Sequence, residues 1–294
     1  MNTAAAPLRS ARAEAWRRGF YRFRQSRLSM VGLALVLLLL VMALAGPWLA
    51  PYPEHLRGAV STAGNFQPPS ARHWFGTNEL GQDVFSLVLG GTRVSVLAGL
   101  SVVMLGALVG TLVGAVAAYA GGWTDDLLMR LSDLKLTVPG LIMAMAVAAA
   151  LGPGIFNMVV AISLSWWPGY ARLVRGEVLA RKEELYVTAA RAIGAGPWRL
   201  LRHHILPNVM TPVIVKISLD MGFAILTVAS LGFIGIGVKP PTPEWGSLLS
   251  VARSYMPDFW WTAIFPGLAI FIAVFGFNLL GDGLRDVFDP RSRR

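Results

Sequence analysis

The chain has 294 residues, of which 55% are hydrophobic and 14% charged, and its mean hydropathy is +0.57. These values exclude an ordinary soluble domain and indicate an integral membrane protein. The lack of cysteine excludes disulfides, thiolate catalysis and cysteine-ligated metal. The formal net charge of +10 does not indicate nucleic-acid binding, because the basic residues lie in short segments beside apolar runs, where membrane topology explains them.

The first apolar run, residues 30–49, is close to the length of about 20 residues that a bilayer-spanning helix needs. The basic stretch before it places residues 1–29 in the cytoplasm and residues 30–50 in the first span. A cleaved signal peptide is the alternative, since Ala43-Leu44-Ala45 resembles a small-residue cleavage site, although the apolar run continues past it. Residues 51–91, rich in proline and glycine, are then expected to be an ordered extracytoplasmic segment.

The second predicted span, residues 94–119, carries small residues at four-residue spacing: Gly106, Gly110, Gly114 and Ala118. Such a stripe allows another helix to approach closely, so it predicts a packing seam. The alternative is that glycine is simply tolerated in membrane helices.

Two shorter apolar runs, residues 138–151 and 155–171, flank the turn signal Gly152-Pro153-Gly154. They predict a helical hairpin, with a re-entrant pair as the alternative. A polar loop (172–207), a span (209–238), an extracytoplasmic segment beginning at Lys239 and a last span (263–280) follow.

The charge distribution tests this arrangement. The proposed cytoplasmic segments hold twenty basic residues and the extracytoplasmic segments five, a bias that supports cytoplasmic termini. The cytoplasmic set is Arg9, Arg12, Arg17, Arg18, Arg22, Arg24, Arg27, Arg130, Lys135, Arg172, Arg175, Arg181, Lys182, Arg191, Arg199, Arg202, Arg285, Arg291, Arg293 and Arg294; the other set is Arg57, Arg72, Arg93, Lys239 and Arg253. The predicted fold class is therefore an all-α polytopic membrane protein with six transmembrane helices, its five-helix core at 92–283 and a cytoplasmic tail at 284–294.

The cytoplasmic loop predicts a helix-turn-helix. Residues 182–193 contain good helix formers, and Gly194 occupies the place of a left-handed C-terminal cap. Pro197 suits the first turn of a second helix, and Pro207 predicts a boundary before the next span.

Small residues within this loop favour a docking function. Ala189 and Ala190, beside Leu185 and Ile193, leave a surface that can fit closely into a groove of a partner protein. The alternative is that the loop merely packs beneath its own helical bundle.

Several motifs resemble one family. Ala189-Ala190 followed by Gly194, and then Ile205-Leu206-Pro207, resembles the EAA loop of ABC importer permeases. Further motifs resemble the C-type permease subunit of dipeptide, oligopeptide and nickel importers: His73-Trp74-Phe75-Gly76-Thr77-Asn78 with Gly81-Gln82-Asp83, Leu128-Met129-Arg130-Leu131-Ser132-Asp133, Pro240-Pro241-Thr242-Pro243-Glu244-Trp245-Gly246, and Phe277-Asn278-Leu279-Leu280-Gly281-Asp282-Gly283-Leu284-Arg285-Asp286 with Asp289-Pro290-Arg291.

This resemblance implies a type I ABC importer permease in the inner membrane of a bacterium. Such a subunit pairs with a second, related permease, is driven by two cytoplasmic ABC ATPases, and receives cargo from an extracytoplasmic binding protein. The implied cargo is a dipeptide, an oligopeptide or a small relative such as nickel or a metal chelate. The chain has no Gly-Lys-Ser or Gly-Lys-Thr for a P-loop, so ATP and Mg²⁺ are expected on the ATPases, with no cofactor here and no enzymatic activity.

The resemblance assigns the coupling of ATPase closure to permease motion to the loop. The residues expected to carry it are Ala189, Ala190, Gly194, Pro197, Ile205, Leu206 and Pro207. Two positions depart from the family pattern: Thr188 stands where the EAA glutamate is usual, with Glu183 or Glu184 as substitutes, and Val228 stands at a usually acidic position of the fifth span.

Two ionisable residues lie in that fifth span instead. Lys216 and Asp220 are four residues apart on one helix face, and a charge at membrane depth costs about 2.5 to 3.5 kcal/mol on insertion scales. Three hypotheses remain open. The two charges neutralise each other within the helix, or they pair with charges on the companion permease, or Asp220 lies on the translocation path and faces a cationic group of the cargo.

The remaining polar and aromatic residues carry weaker signals. His203 and His204 are not spaced for a metal site, so they are expected to cap the second loop helix or contact the ATPase. Four tryptophans near the predicted span ends are expected to be membrane-interface anchors: Trp166, Trp167, Trp260 and Trp261.

Two rival classes of function remain. An ion-coupled secondary carrier would use Asp220 and Lys216 to bind the driving ion, but the internal repeats common in such carriers are not found in the sequence. A membrane enzyme would need a clustered set of His, Asp and Glu at ligand spacing, which the spans and their flanks lack.

Overall fold

The computed structural model describes residue 21 and residues 23–288. Most of the basic N-terminal segment and the Asp289-Pro290-Arg291 motif therefore lie outside the described residues. Within the described part of the chain the regular structure is helical, apart from one isolated bridge between Thr77 and Asp83. This agrees with the all-α fold class.

The helices, in chain order, are α1 (Arg27–Leu49), α2 (Val84–Ala120), α3 (Gly122–Thr137), α4 (Gly140–Leu151), α5 (Ile155–Lys182), α6 (Leu185–Ala192), α7 (Pro197–Ile234), α8 (Trp245–Ala252) and α9 (Trp261–Phe288). Three short 3₁₀ turns, His55–Arg57, Thr62–Gly64 and Arg253–Tyr255, lie in the connecting segments. The strongest packing joins α2 to α5, and α9 packs against both α1 and α7.

Four of these helices, α1, α2, α7 and α9, are long and apolar enough to cross a membrane. Helices α3 and α4 would make a fifth span if the pair, bent by 91°, counts as one broken span. Helix α5 has 28 residues but carries basic residues along its second half. Length and composition thus support a polytopic membrane protein, while the count of six spans stays a prediction.

Helix α2 extends beyond the apolar run that predicted it. Helix α2 begins at Val84 rather than Val94, because the Asp83 side chain accepts a hydrogen bond from the Ser86 N–H and caps the helix there. At 1.5 Å per residue its 37 residues reach about 55 Å, which exceeds the roughly 30 Å hydrocarbon core. The predicted span began late because Gly90, Gly91, Thr92 and Arg93 interrupt the apolar sequence, although the helix passes through them.

The glycine stripe of α2 packs against α5, which confirms the predicted seam. A Cβ added at Gly110 would overlap the Trp167 carbonyl oxygen and the Tyr170 side chain, and one at Gly114 would overlap the Ala171 carbonyl oxygen. The two backbones approach each other because no side chain separates them.

Two of the tryptophans predicted to be anchors pack inside the chain. Trp166 lies near the middle of α5, half-buried against Gly106, and its place at the membrane interface stays a prediction. Trp261 is buried, and its indole N–H donates to the Thr77 carbonyl oxygen at 3.0 Å. It joins the start of α9 to the segment before α2, so its prediction as an exposed anchor was wrong.

The segment before α2 folds around buried polar side chains. Asp83 accepts hydrogen bonds from the Ser86 N–H and hydroxyl at 2.8 Å and lies 2.9 Å from His73 Nδ1. The Asp83 N–H donates to His55 Nδ1 at 3.0 Å. Asn78 and Gln82 bond to each other through both side chain and backbone. The motif that begins at His73 is thus a folded cap on the N-terminal end of α2.

The segment between α7 and α9 is fixed by Glu244. Its carboxylate accepts the N–H groups of Gly246 and Ser247 at 2.8 Å, capping α8, and the Ser95 hydroxyl of α2 at 3.2 Å. Burial raises the pKa of this carboxyl, while those three donors lower it. A Cβ at Gly246 would overlap the Ala229 carbonyl oxygen of α7, so this glycine allows α8 to lie directly on that helix.

Candidate functional site

The loop between α5 and α7 presents two different faces. On α6, Val187 and Ala190 are buried against Leu200, Leu201 and Ile205 in the apolar core, whereas Ala189 is exposed. The two alanines therefore face different directions. Ala190 serves the packing of α6 on its own chain, and only Ala189 is available to a partner.

Gly194 ends α6 as predicted. Its φ is +87°, and its N–H donates to the Arg191 carbonyl oxygen at 3.0 Å while the Ala195 N–H donates to that of Ala190 at 3.1 Å. These two bonds form a Schellman motif, which satisfies the last carbonyl groups of the helix. The left-handed backbone at Gly194 redirects the chain toward Pro197.

Pro197 begins the second helix, but Pro207 does not end it. Helix α7 runs unbroken from Pro197 to Ile234, with Leu200–Ile205 as a π-helical segment. The Leu206 N–H bonds to the Leu201 carbonyl oxygen across this wider turn. Because Pro207 sits in the first turn after the π segment, the helix accommodates its missing N–H. The loop helix and the next span are therefore one continuous element.

A small polar cluster joins α6 to the π segment. The His204 carbonyl oxygen accepts the Asn208 side-chain N–H at 2.7 Å and the Tyr186 hydroxyl at 3.3 Å. The predicted capping role of His203 and His204 is wrong, because no helix ends there. Their contact with an ATPase stays a prediction.

Three large apolar side chains of this loop are far more exposed than the rest. Leu185 is 86% exposed, Ile193 88% and Trp198 69%, and we call these three the docking surface. Gly194, Gly196 and Pro197 are exposed beside them. Monomeric proteins seldom leave such side chains together in water, so this group is typical of a surface that another protein covers.

Ion pairs hold α5 to α3 just before the loop. Arg175 binds Asp125 through two bonds of 2.6 Å, and Arg172 binds Asp133. Bidentate pairs of this kind fix orientation as well as distance. These pairs thus join the second half of α5 to α3.

Glu184, one of the two candidate substitutes for the EAA glutamate, forms an ion pair rather than a helix cap. Glu184 precedes α6 but makes no side-chain cap bond, and its carboxylate lies 3.7 Å from Arg181. The Thr188 hydroxyl bonds back to the Leu185 carbonyl oxygen at 2.9 Å. The other departure, Val228, is fully buried in the core, where a carboxylate would be costly to desolvate.

Lys216 and Asp220 form a pair within α7. The ammonium lies 3.1 Å from one carboxylate oxygen and 3.2 Å from the other, and 5.0 Å from the centre of the Tyr170 ring. Tyr170 is fully buried, and its hydroxyl has no hydrogen-bond partner among the described residues. The first of the three sequence hypotheses therefore has direct geometric support.

Long apolar helices, joined by a loop that exposes large apolar side chains, define the class of this protein as a polytopic membrane protein.

Residues 110–294 match the family described as "Binding-protein-dependent transport system inner membrane component". Residues 14–69 match the "N-terminal TM domain of oligopeptide transport permease C", so the first apolar run is part of the family's membrane domain rather than a signal peptide. Because the first match covers more than half of the chain, the chain belongs to this family of ABC importer permeases of the inner membrane.

Two relatives illustrate the likeness. The chain is 44% identical over 272 residues to a probable D,D-dipeptide transport system permease protein of Escherichia coli K12, covering 92% of this chain and 90% of the relative. It is 43% identical over 278 residues to a glutathione transport system permease protein of Escherichia coli O6:K15:H31, covering 95% and 91%. Both relatives are transport permeases, so the chain is a transporter subunit rather than an enzyme, and the family implies a partner permease, ATPases and a binding protein.

Proposed function

We propose that this chain is one half of the translocation path of an ATP-driven importer of short peptides. The observation that carries the proposal is the similarity along more than nine tenths of the chain to permeases named for D,D-dipeptides and glutathione. Both compounds are short peptides with free amino and carboxylate groups. This chemistry favours a peptide over nickel or a metal chelate as the cargo.

The proposed topology has six spans, with both termini in the cytoplasm. The fifth and sixth spans are the membrane parts of α7 and α9, and α5 is the fourth despite its basic second half. The strong bias of Lys and Arg toward the proposed cytoplasmic segments supports this orientation.

In this proposal the docking surface couples closure of the ATPases to motion of the permease. Leu185, Ile193 and Trp198 would seat in a groove of a cytoplasmic ATPase, with Ala189 and Gly194 allowing close approach. Because α7 continues from the loop into the membrane without a break, closure of the ATPases would move this span as a rigid body. A related permease would form the other half of the path, and an extracytoplasmic protein would deliver the cargo.

The alternative of an ion-coupled carrier using Asp220 and Lys216 has less support. Membership of this family implies an ATP-driven system, and the two charges already neutralise each other within α7.

The experiment is an affinity purification of the tagged chain from membranes in mild detergent. We expect two ATPase copies and one related permease to be recovered with it. Reconstituted with the binding protein, this complex should import a radiolabelled dipeptide only with ATP. Recovery of the chain without any ATPase would overturn the proposal, and so would dipeptide uptake driven by an ion gradient alone.

The docking surface is tested in the same preparation. Replacing Ile193 and Trp198 together by Ser should release the ATPases, because an apolar side chain contributes about 1.5 to 3 kcal/mol when buried. Replacing the equally exposed Trp123 of α3 by Ser is the control, which should leave the ATPases bound.

A further inference from the structure

An extracytoplasmic cavity of about 460 Å³ lies between the segment before α2, the proline-rich loop after α7, and helix α8. Its volume falls within the range of about 300 to 1,000 Å³ that small-molecule sites occupy. Most of its lining is apolar, contributed by residues such as Leu87, Val238, Pro241 and Val251.

Two opposite charges line this cavity without pairing. Glu79, which is half-buried, belongs to the turn before α2, and Lys239, which is exposed, lies in the loop after α7. Within residues 23–288 neither side chain forms an ion pair or a side-chain hydrogen bond with another residue. Burial raises the pKa of the Glu79 carboxyl above its ordinary value, although a hydrogen bond from its own backbone N–H lowers it.

A half-buried carboxylate and an exposed ammonium that line one largely apolar cavity are complementary to a zwitterion. The ammonium of a short peptide would pair with Glu79, and its terminal carboxylate would pair with Lys239. Each contact would be a charge-assisted hydrogen bond, the stronger kind. The apolar lining would cover small side chains without selecting among them.

We propose that this cavity is an entry subsite that binds the two charged ends of a short peptide between Glu79 and Lys239. The inference rests on the proposed function, since it takes its ligand from the proposed cargo. It assigns to the permease a recognition step outside the membrane, after the binding protein releases the peptide.

The first test measures thermal stability of the purified transporter complex without its binding protein, so that only the permeases can recognise a peptide. The probe is D-alanyl-D-alanine at millimolar concentrations, compared with its N-acetyl and C-amide derivatives. We expect stabilisation by the free dipeptide, and an apparent Kd about tenfold weaker for each capped derivative. Equal effects of all three compounds, or no effect of any, would overturn the proposal.

Substitutions assign each end of the peptide to its residue. In Glu79→Gln the N-acetyl derivative should bind as well as the free dipeptide, and in Lys239→Gln the amide should do so. Glu54→Gln, an exposed extracytoplasmic carboxylate outside this cavity, is the matched control and should behave as the wild type. A discrimination that stays unchanged in both cavity variants would assign the binding to another site and overturn the proposal.

Transport separates this inference from the proposed function. With saturating loaded binding protein, Glu79→Gln and Lys239→Gln should lower dipeptide import about tenfold, while the concentration of binding protein that half-stimulates ATP hydrolysis stays unchanged. If that concentration rises instead, the cavity is a docking site for the binding protein and the inference fails. A wild-type complex that imports no dipeptide would refute the proposed function itself.

Discussion

At the scale of single residues, Gly194 is the position where sequence and geometry agree most closely. Its φ of +87° is rarely adopted by other residues, and no atom lies within 4 Å of an added Cβ. Substitution there changes the backbone alone and creates no collision.

We therefore expect Gly194→Val to uncouple the transporter. The left-handed conformation costs a β-branched residue about 1 to 3 kcal/mol, so the Schellman motif opens and the docking surface loses its shape. The measurement is transport together with binding-protein-stimulated ATP hydrolysis. Gly176→Val is the matched control, because Gly176 is exposed in helical backbone and an added Cβ again meets nothing. Full coupling in Gly194→Val would contradict the docking function.

The second prediction at this scale concerns how the pairing of Lys216 with Asp220 affects stability. Lys216→Gln or Asp220→Asn alone leaves one charge without its partner inside α7, so each single variant should lower the thermal stability of the complex. The double variant removes both charges and should recover stability and transport. Recovered stability without transport would assign the pair to the translocation path. Loss of the companion permease from the double variant would show that the pair acts between subunits.

We expect the stability of the folded chain to depend on pH through His55. Its buried Nδ1 accepts a hydrogen bond from the Asp83 N–H, so protonation removes an acceptor, and burial lowers the pKa of His55 from 6.5. Below that ordinary pKa the unfolded chain binds a proton that the native chain does not. Stability should therefore fall as the pH drops from about 6.5 toward the native pKa, by at most about 1.4 kcal/mol per pH unit.

The control for this titration is His55→Asn, whose side-chain oxygen offers an acceptor that does not titrate. Charged and titratable neighbours, Glu54, His73 and Asp83, are the same in both proteins. The difference between the two curves of stability against pH, measured by thermal unfolding, therefore isolates His55. Parallel curves would contradict this assignment.

At the scale of helices, the seam between α2 and α5 makes a prediction about packing. Gly110→Ala places a methyl group against the backbone of α5, so the helices must separate, at a cost of about 1 to 3 kcal/mol. Gly267→Ala in α9, where an added Cβ meets no atom, should leave the melting temperature almost unchanged. Equal melting temperatures for the two variants would show that the seam does not contribute to stability.

At the scale of the whole molecule, the lack of native cysteine makes topology directly measurable. A single cysteine introduced at Ala71 should react with a membrane-impermeant maleimide in intact cells, and one at Ala192 only after permeabilisation. Both positions are exposed, and the proposed topology places them on opposite sides of the membrane. A cysteine at Ser10, in the basic N-terminal segment, should behave like the one at Ala192. The reverse pattern would contradict cytoplasmic termini.

Much of the site could be predicted from local sequence, because its signals are local. The cap at Gly194, the helix start at Pro197 and the spacing of Lys216 and Asp220 each depend on residues within one or two turns. The errors arose where distant or adjoining structure decides. Trp261 is buried and donates a hydrogen bond to Thr77, nearly two hundred residues away. Helix α7 continues past Pro207 because a π-helical segment precedes this proline.

The sequence by itself determined the membrane class, the family and the positions of the apolar runs, because hydropathy and sequence motifs depend on residues that are contiguous in the chain. Tertiary structure decided which of two adjacent alanines, Ala189 and Ala190, faces outward, and that α5 covers the glycine stripe. It also brought Glu79 and Lys239 to one cavity across 160 residues. Such juxtapositions depend on how helices pack, and packing depends on shape complementarity between segments that sequence order does not relate.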